Sequence, residues 1–95
     1  MDKKLEEKIN QKINELEENT NEIYKIINSL DKLRIHSDSF GYGIVIGRIY
    51  NSFYYQCRRI LKRDPSNEEF LEFLEILNKN QVRILDALKL NDGSL

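Results

Sequence analysis

Residues 39–63, SFGYGIVIGRIYNSFYYQCRRILKR, decide how this chain reads. The stretch holds five basic residues and no acidic one, six of the nine aromatics and three of the four glycines, in a chain of net charge −1. On a helix at about 100° per residue, Ile46, Ile49, Tyr50, Phe53, Cys57, Ile60 and Leu61 share one face. Arg48, Asn51, Tyr55, Arg58, Arg59 and Lys62 share the other. Gly43-Ile44-Val45-Ile46-Gly47 alone also suits a short strand, because Ile and Val fit a pleated surface. The helical spacing, however, runs unbroken to Arg63 and strand alternation does not. A helix is therefore expected over residues 42–63, its first turn loosened by Gly41 and Gly43.

Toward the N-terminus, Ile9, Ile13, Leu16, Ile23, Ile27 and Leu30 step by four and three, with Thr20 and Arg34 at the remaining seam positions. This is a heptad pattern. No proline or glycine precedes Gly41, so the pattern predicts one long coiled-coil-like helix within residues 1–36. Its seam is narrow from Ile9 to Leu16 and widens with Tyr24, Ile26 and Leu33, which assigns the second half to the core. Thr20 reads as a surface-facing threonine. The loop His36-Ser37-Asp38-Ser39 offers N-cap candidates for the next helix.

Beyond residue 63, Asp64-Pro65 stops the middle helix, because the residue before proline disfavours the α region. Ser66-Asn67-Glu68-Glu69 matches a capping box and opens a third helix over 66–90. Its seam is Phe70, Leu74, Leu77, Ile84 and Leu88, with Asn78 to Gln81 as a point of kinking or fraying. Residues 91–95 read as a mobile tail.

The expected fold is all-α: a single domain over 1–95, three helices running up, down and up, the second and third forming an antiparallel hairpin. At 1.5 Å per residue, roughly 15 Å of the first helix overhangs the second. The overhang carries the narrow seam, so Ile9, Ile13 and Leu16 are expected to pack against a second chain in a homodimer.

The 33% of charged residues is divided unevenly, with nets of −2 over residues 1–38, +5 over 39–63 and −4 over 64–95. A basic centre between acidic flanks can neutralise itself when the segments pack together. Cys57 is the only cysteine, which precludes an internal disulfide and fits a reducing, cytoplasmic setting. The charged N-terminal stretch lacks the apolar run of a signal peptide. Arg48 interrupts the longest apolar run short of the roughly 18 residues a membrane span needs, so no membrane association is expected.

The polar face of the middle helix is the candidate binding surface: Arg48, Asn51, Tyr55, Arg58, Arg59 and Lys62. Cations around an exposed tyrosine suit an acidic protein partner. They also suit nucleic-acid phosphates, with Tyr55 stacking on a base, although a sequence pI near 5.8 weighs against a dedicated nucleic-acid module. The same residues can instead be occupied within the chain, as Tyr54–Arg58 and Tyr55–Arg59 cation–π pairs and by acidic flanks. The glycines match neither a dinucleotide fingerprint nor a P-loop. The amides of Phe40 to Gly43, with Arg48 one turn on, form a weaker candidate for holding an anion at a helix start. Glu68, Glu72 and Glu75 read as a solvated surface, since a di-metal bundle needs inward Glu-x-x-His motifs and the sole histidine, His36, lies in a loop. Cys57, on the apolar face, reads as a buried thiol. No catalytic residue, metal site or cofactor is expected.

In plan alone, a long first helix followed by two shorter ones resembles the small all-α chorismate mutases. That resemblance implies an intertwined helical dimer holding an anionic substrate with arginines. The family carries an arginine inside its first helix; here Arg34 is the only arginine of that segment and sits at its end, so no residue is carried across. The leading expectation is a non-enzymatic binding or assembly module, with nucleic-acid binding second and a small all-α enzyme third.

Overall fold

The computed structural model describes residues 1–30 and 37–89. Among them are five helices and no strand: α1 (Lys3–Asn14), α2 (Leu16–Ser29), α3 (Ser37–Leu61), α4 (Asn67–Lys79) and α5 (Gln81–Lys89). The expected positions of Leu33, Arg34 and His36, and the tail 91–95, lie outside the described residues.

Local chemistry sets the helix ends. The Asp2 carboxylate accepts the Leu5 N–H at 3.0 Å and opens α1. The predicted capping box opens α4: Ser66 Oγ accepts the Glu69 N–H at 3.2 Å, and the Glu69 carboxylate accepts the Ser66 N–H at 2.9 Å. The middle helix stops before Asp64-Pro65. It ends at Leu61, and Lys62 follows with φ 62°, its N–H bonded to the Arg58 carbonyl at 3.0 Å. This is a left-handed helix terminus built without the usual glycine.

Each outer arm is broken near an asparagine. The Glu15 carbonyl accepts both the Glu18 N–H at 3.1 Å and the Asn19 side-chain amide at 3.0 Å. The Asn80 side chain likewise donates to the Ile76 carbonyl at 2.8 Å, between α4 and α5. Such side-chain competition for helix carbonyls bends helices. The single helix expected over 1–36 is therefore two, and the second ends at Ser29. The helix expected over 66–90 is also two, parted at the position read as a kink.

α1 packs chiefly on α3, and α2 on both α3 and α5. The α3 stripe facing inward is Val45, Ile49, Phe53 and Cys57, one residue per four, all buried. Phe53 stacks on Phe73 of α4 with ring centroids 4.4 Å apart and planes within 2°, and Tyr50 flanks Phe73 at 6.0 Å. Gly41 is where three helices close in: a Cβ there would lie 3.2 Å from Ile27 Cδ1 and 3.6 Å from Leu88 Cδ1. The hydroxyl of buried Tyr24 donates to the Leu88 carbonyl, and that of Tyr42 to the Leu85 carbonyl at 3.5 Å, so two tyrosines tie α5 down.

Several expectations change as a result. Ile9, Ile13 and Leu16 are 1%, 2% and 4% exposed within their own chain, so the oligomer contact assigned to them loses its premise. The physical reason is length. α3 begins at Ser37 and, at 25 residues, spans roughly 37 Å at 1.5 Å per residue. That nearly matches the 39 Å long axis of the molecule, leaving no overhang. Thr20 is buried rather than surface-facing. In the C-terminal arm Phe73, one position before the expected Leu74, takes the core site, and Leu74 is left exposed. On α3, Ile46 and Tyr50 lie at the edge of the core, with large exposed fractions, rather than inside it.

Candidate functional site

The six residues expected to form one basic face divide into two groups along α3 and the residue that follows it. Toward its C-terminal end, Arg58 Nε donates to Asp64 Oδ1 at 2.6 Å, and its guanidinium carbon lies 5.6 Å from the centre of the Tyr54 ring. The Asp64 hydrogen bond raises the Arg58 pKa further above its ordinary value. Arg59 Nε donates to Gln56 Oε1 at 3.1 Å. Lys62 is exposed at the left-handed helix terminus. Next to this group, Arg63 grips Glu69 with two bonds of 2.7 and 3.1 Å. The Arg63 contact and the Ser66 N–H together hold the Glu69 carboxyl at about 2, well below its usual range, against the opposing effect of burial. The Tyr54–Arg58 pair read from sequence is present, and Asp64 and Glu69 neutralise much of this end within the chain.

The other group faces a second helix. Arg48, Asn51 and Tyr55 line a groove of about 330 Å³ between α3 and α1, where they meet Lys8, Lys12 and Gln11. Ser52, Gln56 and Glu15 complete its walls. Arg48 is held in place by Glu22 of α2 at 3.2 Å, and Lys12 by Glu15 at 3.4 Å. Gln11 donates its amide to Glu15 at 3.3 Å. Tyr55, 61% exposed, stands at the groove with its ring open to solvent. The groove thus offers three cations, several amides and hydroxyls, and one carboxylate, a set suited to binding anionic groups and orienting them by hydrogen bonds.

Lys8 and Lys12 were not among the residues singled out from sequence. Their spacing of four, flanking Ile9 and Ile13, puts them on one edge of the α1 seam. With that seam assigned to another chain, nothing joined them to Arg48. Glu15, at the break, lines the same groove, and the signal for the break, Asn19 four residues on, is weak in a sequence of heptad pattern.

Other candidates are placed as follows. α3 begins at Ser37, so the amides of Phe40 to Gly43 lie inside a helix rather than at its start. Burial raises the Cys57 thiol pKa, which keeps it protonated and unreactive. Glu68 and Glu75 are exposed and Glu72 is half-buried. Among the described residues no group of three or more His, Cys, Asp or Glu side chains is placed to hold a metal ion, and no helix is long and apolar enough to cross a membrane.

Comparisons of the chain with protein-family models, with curated proteins and with solved structures find no match.

Proposed function

We propose that this chain is a non-enzymatic helical binding module that takes an acidic segment of a partner protein in the groove between α1 and α3. The observation that carries the reading is the convergence of Lys8 and Lys12 with Arg48, Asn51 and Tyr55 on one concave surface. The reading treats the five helices as three arms running up, down and up, the first of them coiled-coil-like but broken at Glu15. The last two arms form an antiparallel hairpin. A cytoplasmic setting belongs to the same reading and rests on the single buried thiol, Cys57. Carboxylates entering the groove meet cations already positioned by Glu22 and Glu15, so little side-chain order has to be gained on binding.

The test is titration of the protein with a short poly-glutamate peptide, followed by amide chemical shifts. Shifts are expected to move along Lys8 to Glu15 and Arg48 to Gln56. A Lys8→Gln/Lys12→Gln variant should weaken binding about tenfold, equivalent to about 1.4 kcal/mol. An Arg58→Gln/Arg59→Gln variant should change it far less, because neither side chain lines the groove. The reverse ranking would overturn the groove assignment. The exposure of Tyr55 also favours a second reading, in which the same surface holds a single-stranded nucleic acid by stacking and phosphate contact. Tighter binding of an oligonucleotide than of the peptide, falling steeply with salt, would select that reading.

A further inference from the structure

On the side of α3 opposite the polar groove, the surface turns apolar. Leu71, Leu74, Asn78 and Val82 step by three, four and four from α4 into α5, and all are exposed, Leu71 by 52% and Val82 by 65%. An apolar groove of about 360 Å³ adjoins the stripe and carries it to α3, where Ile46 and Tyr42 face Leu74, Leu77 and Ile84. Gly43 and Gly47 stand beside Ile46 with open space where a Cβ would be, so this edge of α3 is low. Contiguous apolar surface of this kind marks a contact site in a protein that stays dispersed in water.

The register of the stripe indicates what covers it. Laid antiparallel on itself about a two-fold axis near residues 76 and 77, Leu71 meets the partner's Val82, and Leu74 falls between the partner's Asn78 and the partner's Lys79. Exposed Glu75 then lies opposite the partner's Asn78 and one residue from the partner's Lys79, within reach of an ion pair that the symmetry makes twice. In a parallel copy the flank that carries Glu75 and Lys79 would instead face the opposite flank of the partner, and neither ion pair would form. We propose that a second copy of the chain covers this face, forming an antiparallel two-fold dimer through the α4–α5 arm. The polar groove between α1 and α3 stays open on the far side, so this inference does not rest on the acidic-partner reading.

Sedimentation equilibrium over a wide concentration range tests the dimer. The mass should rise from 11.3 kDa toward twice that value as concentration increases. Leu71→Asp and Val82→Asp change exposed side chains, so they should keep the helical circular dichroism of the wild type while holding the mass at that of one chain. Glu75→Lys, which places like charges together twice, should weaken the dimer about tenfold. Glu75→Lys combined with Lys79→Glu should restore it. A wild-type mass of one chain at every concentration would overturn the proposal, as would a dimer indifferent to Leu71→Asp and Val82→Asp, or a charge swap that fails to restore association.

Discussion

Glu69 joins three parts of the chain: its carboxylate is gripped by Arg63 and accepts the Ser66 N–H, and its backbone lies in the first turn of α4. Its folded pKa is about 2 against an ordinary 4.5. Between those values the unfolded chain takes up a proton that the folded chain refuses, so acidification through that window favours unfolding. The stabilisation is fully present above the upper value and gone below the lower one. Thermal melts followed by circular dichroism from neutral pH to pH near 2 should therefore show the wild type losing more midpoint than Glu69→Gln. At neutral pH, Glu69→Ala should cost about 2 kcal/mol through loss of the cap and the Arg63 contact. The Ser-x-x-Glu cap was legible because it is written in four consecutive residues. The Arg63 contact was not, because it depends on how the chain turns at Lys62, a left-handed residue that nothing in its side chain announces.

The period of the C-terminal arm was readable, and so was its phase in α5, where Ile84 and Leu88 are buried as expected; the phase of α4 was not. Phe73 and Leu74 are adjacent and both apolar, so the spacing of apolar residues admits either as the inward position. What decides is the partner: Phe53 presents a flat ring into which Phe73, and not Leu74, can stack. Phe73→Ala should thus cost about 3–5 kcal/mol, close to the whole stability of a small domain. Leu74→Ala should cost less than about 1 kcal/mol at low protein concentration. Urea unfolding midpoints of the two variants give the ranking directly, and the opposite ranking would show that the arm is rotated. The same one-residue rotation of α4 is what leaves Leu74 on the surface beside Leu71, so the core assignment and this part of the exposed stripe stand or fall together. Neither helix break was fully legible, because both depend on asparagine amides whose preference for helix carbonyls over water is settled by packing around them.

The sequence led to the right class and the wrong accounting of lengths. A helix confined to residues 42–63 would leave part of a longer first helix overhanging, to be covered by another molecule. In the fold α3 starts earlier and the first arm ends sooner, so Ile9, Ile13 and Leu16 are used up inside one chain. Ile9→Ala should consequently lower stability by about 2–4 kcal/mol. Measured at low protein concentration, the loss should be the same from one dilution to the next, as expected for a core residue and not for an interface. The groove between α1 and α3 follows from the same change, since Lys8 and Lys12 reach Arg48 only when α1 lies on its own chain. A last consequence concerns α5. A helix of nine residues does not persist by itself in water. This one is held by burial of Ile84, Ala87 and Leu88 and by two phenol hydroxyls, Tyr24 on α2 and Tyr42 on α3. Those ties act as a latch shared between two other helices. α5 therefore keeps its helical form only while docked, so its order reports on the packing of α2 and α3 beneath it.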